Sequence, residues 1–391
     1  MSELLNGRWA ETKEALLEGL QGTKRSVMGV TLENTRKYLM ESPTAGATSA
    51  GNVATLNRVI LPVIRRVMPT VIANELLGVQ PMTGPVGQIH TLRVRYADSS
   101  SGASVTAGEE ALSPFKIAAS YSGNANDSAA KAASTATLEG QAGNRMSIQI
   151  LKQTVEAKTR KLSARWTFEA AQDAQAQQGI DVEAEIMAAL AQEITAEIDQ
   201  EILASLLTLA GTPTETYDQA AVSGTATFVG DEHAALAIQI NRVSNLIAQR
   251  TRRGAGNWAV VSPFALTILQ SATTSAFART TEGTFEAPTN TKFVGTLNNA
   301  MKVYVNTYAQ DNTSILIGYK GASESDAAAF YCPYIPLMSS GVVLDPSTFE
   351  PVVSFMTRYG YVELSNTASS LGNAADYLGT VGITNGNVKF S

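Results

Sequence analysis

The chain has 391 residues, of which 44% are hydrophobic and 16% charged, and its net charge is −6. At roughly 100–200 residues per domain this length predicts two or three lobes; the acidic balance excludes a broad basic face for gripping duplex nucleic acid, and the single cysteine, Cys332, excludes an intrachain disulfide. A surface poor in charge suits either a neutral soluble protein or one whose faces are covered by other subunits.

The N-terminus, MSELLNGRWAETKEALLEGL, has no basic n-region and no apolar h-region, so it does not read as a secretory signal. No apolar run is long enough to span a bilayer. Folding in a cytoplasm is the expectation. Residues 1–41 read as helical and charged, with Leu16, Leu17 and Leu20 on one face and Glu11, Lys13, Glu14 and Glu18 around them. The small-residue stretch SPTAGATSAGNV (42–53) reads as a linker, which makes the first forty residues separable. Ile60, Ile64, Val67 and Val71 fall at helical spacing, but Pro62 and Pro69 predict two short helices or a kink.

GVQPMTGPVGQI (78–89) packs Gly78, Pro81, Gly84, Pro85 and Gly87 into one turn. It lacks the Lys and the hydroxyl of a phosphate loop, precedes a strand rather than a helix, and loses amides to proline. A hinge is the better reading. On that reading, replacing both Gly84 and Gly87 with valine is expected to abolish assembly. From Ile89 the pattern alternates, with His90, Leu92, Val94 and Tyr96 on one face, as a half-covered strand does. Residues 97–144 are poor in large apolar side chains and are not expected to form a packed core alone. Strand character returns over 146–168, so 88–168 reads as one long two-stranded excursion, which needs a neighbour to lie on.

Residues 181–209 give the strongest helix. Asp181 suits the N-cap, Glu183 and Glu185 the first turn, and Gly211 and Pro213 the stop. Ile186, Leu190, Ile194 and Ile198 recur every fourth position along a spine roughly 40 Å long at about 1.5 Å per residue. A second helix over 231–251 carries Leu236, Ile240, Val243 and Ile247. WAVVS, MKVYVNT and SILIGYKG read as strands, ALTILQS as a short helix. A last strand, VVSFMTRYGYVEL, sets Val353, Phe355, Tyr359 and Tyr361 on one face. Helices and strands mix without a βαβ cycle, so the fold class is α+β.

No catalytic, cofactor or metal site emerges. His90 and His233 are the only histidines and lie far apart, which removes zinc and Cys–His chemistry. Cys332, in AAAFYCPY, reads as a buried thiol. Glu324 and Asp326 lack the spacing of a calcium loop and read as turn residues. Glu193, Glu197 and Glu201 form an acidic stripe on the spine helix, and Lys158, Arg160, Lys161 and Arg165 a basic cluster on the returning strand. A solvated face is the simplest reading of each. Contacts between subunits, basic cluster to acidic stripe, are the alternative.

Four blocks carry a resemblance: RVMPTVIANELLGVQPMTGPVGQIHTLRVRY (66–96), EAAQDAQAQQGIDVEAEIMAALAQEITAEIDQEIL (169–203), GYKGASESDAAAFYCPYIPL (318–337) and DPSTFEPVVSFMTRYG (345–360). In order and content they resemble the major capsid proteins of T-even-type tailed bacteriophages, over most of residues 57–365. The resemblance implies an HK97-type fold: a helical N-terminal segment (1–41), an N-arm (42–87), an E-loop (88–168), a peripheral domain with the spine helix (169–225 and 341–391) and an axial domain (226–340). It implies a non-enzymatic shell subunit, in hexamers and in some members pentamers, around double-stranded DNA held without sequence-specific contacts. A vertex subunit or an encapsulin-like compartment is the alternative. It also implies a virion location, assembly in the host cytoplasm, and cement, portal, scaffold and prohead-protease partners. Leu39-Met40-Glu41 matches the family's Leu/Ile-x-Glu processing pattern, just before the linker. The segment 97–144 departs from the better-known members, being too short and polar for their folded insertion domain, so a separate cement protein is the expected substitute.

Overall fold

A computed structural model describes residues 9, 13, 14, 17, 22–41, 72–109, 111, 121–123, 132–140, 143–178, 181–218, 229–271, 277–279, 291–298, 300–324, 326–364 and 374–384. The apolar spacing at 60–71 and the linker at 42–53 lie outside them. The chain begins with helix α1 (Gly22–Glu41), a single turn α2 (Ala73–Leu76), and strands β1 (Gly78–Val79) and β2 (Val86–Tyr96). A short α3 (Thr135–Leu138) precedes β3 (Met146–Glu156) and β4 (Lys158–Arg165). Then come α4 (Phe168–Gln178), the spine helix α5 (Val182–Ala210), β5 (Glu215–Asp218), α6 (Val229–Thr251), β6 (Trp258–Val261) and α7 (Pro263–Ser271). Strands β7 (Phe277–Arg279), β8 (Thr291–Leu297), β9 (Met301–Asn306), β10 (Ile315–Gly318), β11 (Ala329–Ser339), β12 (Val343–Leu344), β13 (Pro351–Glu363) and β14 (Leu378–Thr384) complete the described fold.

The spine helix forms as its sequence dictates. Asp181 accepts from the amides of Glu183 and Ala184, and Gly211, at φ 72°, closes the other end by donating to Leu207 and Thr208 carbonyls. Its buried face, Ile194, Ile198, Ile202 and Leu206, packs on the alternate residues Val353, Phe355 and Tyr359 of β13. This core belongs to a sheet ordered β1-β11-β13-β12, with β4 also pairing β13 along Lys158–Arg165. A second core, around Leu236, Ile240, Val243 and Ile247 of α6, fills a seven-stranded sheet ordered β5-β14-β10-β6-β9-β8-β7. The architecture is α+β. Sheet membership departs from the expected chain boundaries at three places: β11 lies in the spine-side sheet, and β5 and β14 lie in the second sheet.

Strands β2 and β3 pair with each other over Val86↔Glu156 to Tyr96↔Met146 and form a sheet of their own. The returning strand is shorter than the sequence suggests. It ends at Glu156; the Ala157 amide bonds the Pro85 carbonyl (2.9 Å) and the chain then enters the spine-side sheet as β4. The basic cluster therefore sits on β4, not on the hairpin.

The expectation of no packed core over 97–144 is corrected. Tyr96, Ala103, Val105, Ala111 and Tyr121 form a small buried cluster, with the two tyrosine rings 4.5 Å apart. Polar staples compensate for the scarce apolar area. Tyr121 Oη donates to the Arg145 carbonyl (2.6 Å), and the Arg145 guanidinium donates to Asp98 at 2.9 and 3.2 Å. These bonds to Arg145 hold the Asp98 carboxyl below its ordinary range.

Candidate functional site: the strap, the spine contact and the exposed hairpin

Residues 72–89, which include the glycine–proline stretch, form a strap stitched to α5, the 320–324 turn, β11 and α1. The Ile72 amide donates to Asp199 of α5 (2.9 Å), and Lys320 Nζ donates to the Asn74 carbonyl (2.9 Å). The Val79 amide donates to Glu324 Oε2 (2.9 Å), while Gln80 and Met82 amides donate to the Tyr331 and Pro333 carbonyls of β11, each at 3.0 Å. Asn34 of α1 donates from Nδ2 to the Met82 carbonyl (2.6 Å) and to the Tyr334 carbonyl (3.0 Å). Tyr334 stands at a β-bulge, where the β11–β13 register shifts between Pro333 and Ile335, so its carbonyl needs a partner outside the ladder.

The candidate hinge residues separate into two kinds. A Cβ on Gly78 would overlap the Glu324 carbonyl oxygen and stand 2.8 Å from the Phe330 ring. At Gly84 and Gly87 the nearest atoms would be 3.8 and 3.7 Å away, and neither has a positive φ. The geometry therefore does not support the expectation that valine at both would abolish assembly. Pro85 is exposed and supplies the carbonyl that receives Ala157, and Pro81 is half-buried. A further glycine, Gly360 of β13, lies under the hairpin root. A Cβ there would overlap Val155 and come within 3.2 Å of the Glu156 carbonyl. An isolated glycine inside a strand pattern is the signal that could have found it.

Asp199 was also missed. It is 1% exposed and lies in the row Thr195–Asp199–Ile202–Leu206, so a carboxylate interrupting an apolar stripe was the available signal. Burial pushes its carboxyl up to about 7, with the Ile72 amide pulling the other way.

Part of the acidic stripe and part of the basic cluster meet within one chain. Arg160 spans Glu197 and Glu201 of α5, at 2.5 Å to each, and its Nε donates to Tyr359 Oη (2.7 Å). Tyr359 Oη in turn donates to Glu201. Burial works against the charge on Arg160, but Glu201 and Tyr359 more than offset it and raise its pKa. A planar fork bridging two carboxylates fixes orientation as well as charge. It ties β4, β13 and the spine helix into one unit. Lys158, Lys161 and Glu193 are exposed, and Arg165 lies 3.8 Å from Glu350. His90 is exposed on the hairpin and His233 is buried beside Ser271 Oγ (2.5 Å), so the structure does not bring the two histidines together. Cys332 is buried, which pushes its thiol up to about 12. Among the described residues no group of three or more His, Cys, Asp or Glu could hold a metal, and no helix is long and apolar enough to cross a membrane.

One face of the hairpin is apolar and open. Leu92, opposite Ile150, and Ile148 are about two-thirds exposed, with Met146 beside them at more than half; Val86, also exposed, stands apart at the root, beyond the polar pairs Gln88–Thr154 and His90–Lys152. At its root a groove of about 490 Å³ is lined by Met82, Val86, Leu92, Val155, Phe330 and Cys332. A contiguous apolar face that its own chain leaves uncovered marks an interaction surface.

The family model described as major capsid protein Gp23 matches residues 53–383. The chain belongs to this family. Relatives include the major capsid protein of Vibrio phage KVP40, 30% identical with 86% of this chain and 83% of that protein covered. Those of Enterobacteria phages T6 and T4 are 30% and 29% identical, each over 81% of this chain, and 79% and 76% of their own lengths are covered. Among solved structures, the mature capsid of bacteriophage PhiM1 superposes with a TM-score of 0.45 at 13% identity, covering 78% of this chain and 84% of that one. The protein is a structural subunit of a phage head rather than an enzyme, located in the virion capsid and forming a homo-oligomeric shell. The buried histidine and thiol, the strap and the Arg160 contact are accordingly read as architecture.

Proposed function

We propose that the chain assembles as hexamers, with pentamers closing an icosahedral shell, around double-stranded DNA that it does not read by sequence. The exposed apolar face of the hairpin carries this reading. Two eleven-residue strands paired only with each other are marginal in water unless something covers them. A neighbouring copy is the economical cover. The hairpin serves as the family's E-loop, the spine-side sheet with α5 as the peripheral domain, and the second sheet as the axial domain. Lys158, Lys161 and Glu193 remain candidates for charge contacts between copies. A portal, a scaffold and a cement protein complete the particle, built in the host cytoplasm.

Replacing Leu92 and Ile150 with lysine is expected to leave a folded chain that forms no shells. Sedimentation reads the outcome: particles at wild-type yield would overturn the hairpin's role. Electron micrographs of wild-type particles separate shell from vertex: density for this chain confined to fivefold positions would favour a vertex subunit, and protein cargo in place of DNA a compartment.

We further propose that the prohead protease cuts after Glu41, in the Leu39-Met40-Glu41 pattern at the last turn of α1. The intact mass of chains from mature particles is expected to lack residues 1–41. A full-length mass would exclude the cut.

A further inference from the structure

Met82 joins the hairpin root to α1. Its side chain packs with Val155, Phe330 and Cys332 at the hairpin root, and lies 3.7 Å from where a Cβ on Gly87 would be. Its carbonyl is held by Asn34 of α1, 48 residues earlier in the chain, whose amide also satisfies the bulged Tyr334 carbonyl. We propose that α1 is an intramolecular latch on the hairpin root, closed by Asn34, so that undocking α1 loosens the hairpin.

The sequence of α1 favours release as a unit. GTKRSVMGVTLENTRKYLME holds an internal glycine and several β-branched residues, all weak helix formers, and has no acidic residue in its first turn or basic residue in its last. Its stability must come from docking. Val27, Met28 and Leu32 are buried in the same core as Leu76 and Leu77, and Thr31 is buried beside them. Trp9 and Lys13 each reach Glu33 at 3.3 Å, and Arg25 reaches Glu14 at 2.8 Å, so Trp9, Lys13 and Glu14 are held against α1. Once α1 leaves, the Met82 and Tyr334 carbonyls lose the Asn34 amide, and the root rests on the Met82–Val155–Phe330–Cys332 packing, the Gln80 and Met82 amide bonds to β11 and the Ala157–Pro85 bond. The proposal gives a physical consequence to the cut after Glu41, on which its use in the phage rests.

Amide hydrogen exchange on the full chain tests it without requiring a shell, so failure of the latch is distinguishable from failure of the assembly reading. In an Asn34→Ala chain, exchange over 83–90 and 152–157 is expected to rise about tenfold, as loss of one well-placed bond at a carbonyl allows. The spine helix over 190–206 should be unchanged. A second chain carries an inserted protease site within residues 42–50 and is cut after folding; the same root amides should then exchange faster. It decides the matter if Asn34→Ala does not fold. Unchanged root exchange in the Asn34→Ala chain, or in the cut chain once the 1–41 fragment has been separated from it, would overturn the latch.

Discussion

Asp199→Asn is expected to stabilise the folded chain at pH 8 by up to about 4 kcal/mol, and to leave it nearly unchanged at pH 4. The carboxyl is 1% exposed, accepts one amide from Ile72 at 2.9 Å, and is pushed from an ordinary 3.8 to about 7 by burial. Between those two values the folded chain holds a proton that the unfolded chain has lost. Stability therefore falls as pH rises through that window, and levels off above it, where a buried charge persists in the fold. Asparagine keeps an oxygen for the Ile72 amide and never ionises, so it removes this slope. Urea midpoints at pH 4, 6 and 8 for both chains measure it. Parallel pH profiles would show that the carboxyl is not the source.

The largest elements were legible because their signals are local. Asp181, Gly211 and apolar residues at every fourth position define the spine helix to within a residue at its start. Alternation along β13 identified the face that packs on it. Strand β11 was not read, because AFYCPYIPLMS is apolar on both faces and contains two prolines. Its pairing with β13 survives them through the two register shifts. The charged residues of β4 and α5 were found by spacing. That Arg160 meets Glu197 and Glu201 in its own chain depends on β4 leaving the hairpin at Ala157, a tertiary fact with no local signature. Asn34 and Glu324 could not be found by pattern at all. Each serves a backbone group more than 40 residues away, and polar residues on a helix or in a turn look the same whether or not they do so.

Gly78→Val is expected to be the most damaging single change in the strap, and Gly84→Val with Gly87→Val among the mildest. At Gly78 the obstacle is backbone on one side, the Glu324 carbonyl, and an aromatic ring held in the core on the other. Neither can swing aside as a flexible side-chain end would, so β1 must leave β11 and the Val79–Glu324 bond must break. Overpacking of this kind costs about 1–3 kcal/mol, and the broken strap adds the lost bonds on top. At Gly87, inside β2, valine meets only ordinary contacts with the Met82 side chain and adds β-branching to a strand, where it fits. At Gly84 a Cβ would meet only the Val86 carbonyl oxygen, at an ordinary 3.8 Å, so its loss should change stability by less than about 1 kcal/mol. Urea unfolding and particle yield, read on the Gly78→Val chain and on the Gly84→Val, Gly87→Val double variant, measure the contrast. If the double variant fails to form particles while Gly78→Val forms them, the stretch works by bending at Gly84 and Gly87 after all. If the order is as expected, what these residues need is not freedom at a hinge but room for one close crossing, where the chain passes under the 320–330 segment on its way to the hairpin.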